Sequence, residues 1–219
     1  MDYQINKIKE KLRQLDTVFF DLDGTLIDTE KIYYRFWGEA SEYYGYKLNR
    51  EERLAMRSRD SKITAEFFKS KGLDYQIVKA KRIELMDKYL STHPIELKKG
   101  VIPFLKSLKE QNKRLFIVSA NTVEKSRSIL KGLNIKEYFT DVFSSKDVKR
   151  GKPFPDVYLK AAELASRDSK DIIVFEDSPN GLISAHEAGC FTIMVEDIDT
   201  FTKKEAYIDS AIVDFDSLK

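Results

Sequence analysis

Short apolar runs alternate with amphipathic stretches along most of the chain. Apolar residues recur at helical spacing from about residue 4 to residue 15, which predicts a short amphipathic helix. The run Thr17-Val18-Phe19-Phe20 then predicts a buried strand, which ends in the polar turn Asp21-Leu22-Asp23-Gly24-Thr25. Similar runs follow later, separated by helical patterns, at 115–118, 141–143, 172–175, 191–195 and, as an edge strand, 211–213. Strands that alternate with helices predict an α/β fold with a doubly wound parallel sheet, a Rossmann-like core.

One long segment departs from this pattern. Residues 31–91 are rich in Lys, Glu, Tyr and Phe, show helical apolar spacing throughout, and are punctuated by Gly45 and Gly72. The segment predicts an all-helical domain inserted after the first strand. The predicted organisation is therefore a Rossmann-like core formed by residues 1–30 and 92–219, with a helical insertion at 31–91.

Composition limits the classes of partner. The 38 basic and 36 acidic residues among 219 are well interspersed and leave a net charge of +2, which gives no reason to expect nucleic acid or an anionic membrane as partner. Cys190 is the only cysteine, so no internal disulfide can form and a reducing, cytoplasmic location is expected. No apolar stretch approaches the roughly 20 residues that span a bilayer. His93 and His186 are interpreted as structural or solvated side chains.

Polar side chains follow the predicted strands at the points where they end. Asp21 and Asp23 follow the first strand, Ser119 and Asn121 the second, and Glu176 and Asp177 the fourth, while Lys152 lies in a basic loop after the third. Ligands of open α/β sheets bind beyond the carboxyl ends of the strands. The sequence therefore predicts that these side chains line one crevice.

The predicted crevice suits phosphoryl transfer. Carboxylates gathered at one place need a cation or proton uptake, and a site with few protein carboxylates and only oxygen ligands favours hydrated Mg²⁺. The metal and the ammonium of Lys152 would attract a phosphate, whose oxygens Ser119 and the backbone N–H groups of the following turn could hold. Asp21 could then attack phosphorus to form an aspartyl-phosphate, with Asp23 as the acid/base.

Each feature also has an ordinary explanation when taken alone. The pattern Asp-x-Asp-Gly occurs in turns and calcium loops, Ser119 could cap a helix, and Lys152 could be a solvated loop residue. Glu176 and Asp177 could equally begin a helix. Their shared placement at strand ends, in this order, is not explained by those alternatives.

The same residues resemble a known family. The segments Phe20-Asp21-Leu22-Asp23-Gly24-Thr25-Leu26, Val118-Ser119-Ala120-Asn121, Gly151-Lys152-Pro153-Phe154-Pro155-Asp156 and Phe175-Glu176-Asp177-Ser178-Pro179-Asn180-Gly181 resemble the four motifs of the haloacid dehalogenase-like hydrolase superfamily, in particular its β-phosphoglucomutase and sugar-phosphatase branch. The resemblance covers the chain after the predicted first helix.

The resemblance implies a role for each motif residue. Asp21 would be the nucleophile and a magnesium ligand, and Asp23 the acid/base and a ligand through its backbone carbonyl. Asp177 would be a further ligand, with Glu176 near the metal or behind its ligands. The phosphoryl group would be held by Ser119, Ala120, Asn121 and Lys152. The insertion would be a helical cap that closes over the site.

Substrate identity is expected to depend on the cap. Arg59 lies in a segment similar to one in β-phosphoglucomutases, where an arginine receives a distal phosphate; a solvated charge is an equal alternative, and Lys81 is a weaker candidate. Tyr33 stands where related mutases and many phosphatases carry a histidine, and a tyrosine cannot repeat the charge behaviour of histidine near neutral pH. This departure puts mutase activity in doubt without excluding it, and leaves hydrolysis as the safer assignment.

The predicted function is a Mg²⁺-dependent phosphatase acting on a small phosphorylated metabolite, a sugar or polyol phosphate. Two alternatives remain open from the sequence. One is a phosphosugar isomerase of the β-phosphoglucomutase type. The other is a binding module that is phosphorylated on Asp21 and acts as a switch, without turnover.

Overall fold

The computed structural model describes residues 2–56, 61–198 and 205–218. The chain divides into two compact units: the core, formed by Met1–Ile27 and Leu97–Lys219, and the cap, formed by Asp28–Glu96. The limits predicted for the insertion, 31–91, fall inside those of the cap.

The core contains a six-stranded sheet in which every neighbouring pair of strands is parallel. The strands are β1 (Thr17–Phe20), β2 (Arg114–Ser119), β3 (Asp141–Ser144), β4 (Ile172–Glu176), β5 (Phe191–Val195) and β6 (Ser210–Ile212). Their spatial order is β3-β2-β1-β4-β5-β6. All of the predicted strands form, and the predicted α/β class is confirmed.

Strand β1 lies at the centre of the sheet and is covered by other residues on both of its faces. Successive side chains of a strand point to opposite faces. Phe19 packs among buried residues of the core's later helices, such as Val157 and Ala185. Phe20 stacks on Phe175 and contacts Phe104 on the other face. Because both faces are covered, the strand is apolar throughout rather than alternating.

Helices of the core follow the strands as the sequence predicts. Four of them have apolar residues turned inward, and their ends lie within two residues of the limits that the helical spacing of the sequence predicts, 102–111, 123–133, 155–166 and 181–188. These helices are α6 (Val101–Glu110), α7 (Val123–Gly132), α8 (Asp156–Leu164) and α9 (Pro179–Glu187). Helix α9 begins with a proline, and its Ser178 cap accepts a hydrogen bond from the Gly181 N–H.

The first helix, α1 (Asp2–Gln14), packs beside strand β6. Ile8 and Leu12 are buried, and the ammonium of Lys7 donates to the carbonyl of Asp209 at 2.6 Å. The hydroxyl of Ser210 donates to the carbonyl of Gln4 at 3.0 Å. Helix α1 is therefore an integral part of the core.

The described part of the cap is entirely helical. Its core is an aromatic cluster in which Trp37 stacks on both Phe68 and Tyr75. The largest interface joins the first and the last of its four helices. These helices are α2 (Glu30–Tyr43), α3 (Arg50–Ala55), α4 (Ser61–Ser70) and α5 (Tyr75–Leu90).

Two sequence features that bear on the environment can be compared with the structure. Cys190 is buried, and burial raises the pKa of its thiol to about 12, so it behaves as a small apolar side chain. Over residues 2–56, 61–198 and 205–218, none of the helices combines the length and apolar character needed to cross a bilayer.

The aromatic cluster around Phe20 predicts a large stability effect. Phe215 is fully buried against Phe20, Phe104 and Phe175, so Phe215→Ala should lower the free energy of unfolding by about 3–5 kcal/mol. The matched control Leu164→Ala removes a 56% exposed side chain and should change it by no more than about 0.5 kcal/mol. Urea unfolding followed by circular dichroism measures both. Equal losses of unfolding free energy in the two variants would mean that the aromatic cluster does not stabilise the core.

Candidate active site

Three carboxylates meet at the carboxyl ends of the two central strands. Asp21 follows β1, Glu176 ends β4, and Asp177 comes next; all three side chains are buried. One oxygen from each lies within 4.8 Å of the others. Strands β1 and β4 also flank the point where the strand order reverses, which is where open α/β sheets bind ligands.

The ammonium of Lys152 lies among these carboxylates. It donates to Asp21 Oδ1 at 2.6 Å, to Glu176 Oε1 at 2.6 Å and to the carbonyl of Val118 at 2.9 Å. Burial by itself would lower the pKa of Lys152, but the charges of Asp21 and Glu176 outweigh it and hold the pKa well above its usual value. Lys152 is therefore protonated, with all three of its donors in use.

Neighbouring groups shift the pKa of the Asp21 carboxyl in opposite directions. Burial raises the pKa of its carboxyl well above the usual value, and the charge of Glu176 adds to that rise, while the ammonium of Lys152 acts in the opposite direction. Its charged form is thus costly in this site unless further positive charge is present.

Glu176 is held from several sides. Its Oε1 accepts from Lys152 and from the hydroxyl of Tyr158 at 3.2 Å, and its Oε2 accepts from the N–H and hydroxyl of Ser178 at 3.0 and 3.1 Å. Both oxygens are engaged, so Glu176 is better suited to anchor Lys152 than to bind a metal directly. Asp21 and Asp177 are the better candidates for direct ligands.

Asp177 is oriented by Thr25. The fully buried hydroxyl of Thr25 donates to Asp177 Oδ1 at 3.1 Å. Two turns that are distant in the sequence, one after β1 and one after β4, are thereby joined. Such a second partner fixes the direction in which a carboxylate presents its oxygens to a cation.

The turn after β2 reaches Asp23. Nδ2 of Asn121 donates to Asp23 Oδ2 at 2.6 Å, so in this structure the Asn121 side chain orients the carboxylate of Asp23. The N–H of Asn121 donates to Ser119 Oγ at 3.1 Å, and the hydroxyl of Ser144 holds the Asn121 carbonyl at 2.6 Å. The carboxylate of Asp23 is near enough to Asp21 for its charge to add to the rise in the pKa of Asp21.

The core residues predicted from the sequence therefore come together. The structure gives no support for substrate binding by the two cap candidates, Lys81 and Arg59. Lys81 donates to Glu84 at 2.8 Å, and its ammonium lies over the ring of Tyr43 at 4.4 Å. Arg59 lies outside the described residues.

Sequence reasoning missed Tyr158. It is fully buried in α8, its hydroxyl bonds Glu176, and the ammonium of Lys152 lies 5.2 Å from its ring centroid. A buried tyrosine requires a partner for its hydroxyl. The signal available was a single tyrosine on the otherwise apolar face of α8, six residues after Lys152.

The donor set fits a divalent cation. When all three carboxylates are ionised, they carry two more negative charges than the Lys152 ammonium balances. An unneutralised excess of charge in a buried site is costly. Carboxylate oxygens are the ligands preferred by hard cations, and a doubly charged ion would balance the site.

Comparison with known proteins identifies the family. Residues 18–195 match the model of the haloacid dehalogenase-like hydrolases, so the chain belongs to that family of enzymes. The family membership confirms the predicted resemblance and the predicted class of enzyme, a hydrolase.

Individual relatives cover most of the chain. A hexitol phosphatase from Escherichia coli is 33% identical over 180 residues, which are 80% of this chain and 81% of that protein. A β-phosphoglucomutase from Bacillus subtilis is 26% identical, with 83% of each chain covered. Among solved structures, a family hydrolase from Entamoeba histolytica superimposes with a TM-score of 0.79 at 26% identity, covering 94% of this chain and 96% of that one.

The close approach of α9 to Glu176 gives a prediction. A Cβ on Gly181 would overlap the carboxylate of Glu176, so Gly181→Ala must displace that buried side chain and should cost about 1–3 kcal/mol of unfolding free energy. In the control Gly132→Ala, the added Cβ meets nothing within 4 Å, and the helical position should gain up to about 1 kcal/mol. Thermal and urea unfolding measure both; changes of the same sign would contradict the prediction.

Proposed function

We propose that this protein is a Mg²⁺-dependent phosphatase that hydrolyses a small phosphorylated metabolite, a sugar or polyol phosphate, through an aspartyl-phosphate on Asp21. The observation that carries the proposal is the buried Lys152 ammonium, 2.6 Å from Asp21 within a group of three carboxylates. The relative named as a hexitol phosphatase supports a polyol phosphate as substrate.

The metal would be held by the side chains of Asp21 and Asp177 and, by resemblance to the family, the backbone carbonyl of Asp23. When bound, Mg²⁺ would neutralise the oxygens of the phosphoryl group and so favour attack by an anion. Thr25 supports this assignment, since its hydroxyl already fixes the Asp177 carboxylate.

The reaction would proceed in two displacements at phosphorus. In the first, a carboxylate oxygen of Asp21 bonds to phosphorus, the bond to the substrate oxygen breaks, and Asp23 gives that oxygen a proton. In the second, water attacks phosphorus, Asp23 takes the proton from water, and the bond to Asp21 breaks. Inorganic phosphate leaves, and both aspartates return to their starting states.

Other residues of the core would position the reacting groups. Lys152 favours the charged form of Asp21 and would place its positive charge next to the phosphoryl oxygens. Asn121 holds the carboxylate of Asp23 at 2.6 Å, which would aim the acid/base at the leaving oxygen. Ser119 and the backbone N–H of Ala120 would bind the remaining phosphoryl oxygens.

A phosphosugar isomerase is the second candidate, because a relative named as a β-phosphoglucomutase matches 83% of the chain. Tyr33 puts this activity in doubt, because it stands where related mutases, and many phosphatases, carry a histidine whose change of charge near neutral pH a tyrosine cannot reproduce. A switch without turnover is disfavoured by membership of a hydrolase family.

A substrate panel tests the proposal. Purified protein with Mg²⁺ should release inorganic phosphate from one or more sugar or polyol phosphates, including β-glucose 1-phosphate, faster than it forms glucose 6-phosphate. Asp21→Asn should lower kcat by at least about 10⁴-fold because the nucleophile is lost. Asp23→Asn should lower kcat by about 10²–10⁴-fold because proton transfer is lost.

Both variants should keep the melting temperature of the parent within a few degrees or exceed it, which shows that they are folded. Faster formation of glucose 6-phosphate would establish the isomerase instead. Full turnover in Asp21→Asn would contradict the covalent mechanism.

Metal binding should depend on pH. A carboxyl with a raised pKa stays protonated to a higher pH, and the metal requires the carboxylate, so protons compete with Mg²⁺ at Asp21. The Mg²⁺ concentration that gives half of the maximal thermal stabilisation should therefore be higher at about pH 5.5 than at about pH 7.5. Asp177→Asn should weaken the thermal stabilisation by Mg²⁺ at both pH values. A midpoint that is independent of pH would contradict the assignment of Asp21 as a ligand.

A further inference from the structure

Tyr158 in helix α8 contacts both members of the ion pair between Lys152 and Glu176. Its hydroxyl donates to Glu176 Oε1 at 3.2 Å, and the Lys152 ammonium lies over its ring, 5.2 Å from the centroid. The side chain is fully buried and packs in an apolar cluster that includes Phe19 and Val174 of the sheet. The surrounding core therefore holds Tyr158 rigidly and keeps its hydroxyl away from solvent.

The Tyr158 hydroxyl is the donor in its contact with Glu176. An ionised carboxylate only accepts hydrogen bonds. Burial raises the pKa of Tyr158 well above its usual value, so the phenol keeps its proton. The contact is therefore a hydrogen bond from a neutral phenol to a charged oxygen, a stronger kind than one between two neutral groups.

One oxygen of Glu176 accepts from two donors. Oε1 accepts from Tyr158 and, at 2.6 Å, from Lys152, whose ammonium is also 2.6 Å from Asp21 Oδ1. The ammonium is thus shared between two carboxylates at equal distances. Because the phenol offsets part of the charge on Oε1, Glu176 attracts the ammonium less strongly than it otherwise would. Loss of the phenolic hydroxyl would draw the ammonium towards Glu176 and away from Asp21.

The place of this ammonium matters for the chemistry. A positive charge lowers the barrier to phosphoryl transfer only where it lies next to the oxygens that gain charge in the transition state, and it must be in place before the reaction begins. Lys152 would meet that condition while its ammonium stays beside Asp21.

We propose that Tyr158 is a positioning residue, which holds Glu176 and thereby keeps the Lys152 ammonium beside Asp21 during phosphoryl transfer. The proposal rests on the proposed phosphatase function. It adds to that function a residue that acts through Glu176 and Lys152, without contact with the reacting atoms.

Tyr158→Phe tests the proposal, because it removes the hydroxyl and keeps the ring. The variant should fold, since Glu176 Oε1 keeps its bond to Lys152. With the best substrate of the panel and saturating Mg²⁺, kcat should fall about tenfold, while KM should change by less than about threefold, because the lost interaction acts in the transition state.

Tyr138→Phe is the matched control in the same unit. Tyr138 is half-buried and precedes β3, whereas the site residues follow the strands. This variant should keep both kcat and KM within about twofold of the wild type.

Inhibition constants separate positioning from a loss of folded protein, because they do not depend on the fraction of molecules that is active. Orthovanadate in its five-coordinate form resembles the transition state at phosphorus, so it should inhibit Tyr158→Phe at least about fivefold less tightly than the wild type. Inorganic phosphate is tetrahedral, like the product, and its inhibition constant should stay within about twofold.

The possible failures can be told apart. Wild-type turnover that depends on Asp21, with unchanged kcat in Tyr158→Phe, would overturn the role of Tyr158 and leave the phosphatase standing. A fall in kcat with both inhibition constants unchanged, or with both weakened equally, would have the same meaning.

If the wild type turns over none of the compounds, the rise in melting temperature caused by orthovanadate with Mg²⁺ replaces the inhibition constants. A smaller rise in Tyr158→Phe than in the wild type would overturn the phosphatase and leave the positioning role standing. An equal rise, or none in either protein, would overturn both.

Discussion

The buried ammonium of Lys152 is the interaction on which the site depends. It joins Asp21 after β1, the carbonyl of Val118 in β2 and Glu176 at the end of β4. Two carboxylates so close together would repel each other strongly in a buried environment. One positive charge converts that repulsion into a cross-link between three strands. The same charge would lie next to the phosphoryl group, so the contact that assembles the site would also serve the chemistry.

The sheet provides the conditions for this contact. Because all neighbouring strands are parallel, the turns that follow them lie at one edge, and residues more than 100 positions apart meet there. Burial on both faces keeps the strands rigid: Phe19 packs under α8 and α9, while Phe20 lies in an aromatic cluster on the opposite face. Polar residues are confined to the ends of these apolar strands, and that contrast was visible in the sequence.

The sequence predicted the strands, the fold class and the gathering of polar residues at the strand ends, because short apolar runs and the polar residues that follow them are local signals. Which side chains form hydrogen bonds with one another was less predictable. That Asn121 holds Asp23, or that Tyr158 holds Glu176, follows from the packing of segments far apart in the chain. The cap illustrates the difficulty: Lys81 and Arg82 are adjacent, but they point about 100° apart around α5, and only tertiary structure decides which of them meets the rings of Trp37 and Tyr33.

The backbone amide of Asp21 is part of the hydrogen bonding of the sheet. Its N–H donates to the carbonyl of Phe175 at 3.0 Å and continues the pairing of β1 with β4 beyond the last residue of the strand. The amide of the proposed nucleophile thus belongs to the centre of the sheet, the part of a domain whose protons exchange with solvent only when the whole domain opens. Fraying at the sheet edges would leave Asp21 in place. The core should therefore lose its reactive geometry in the same cooperative step in which it loses its fold.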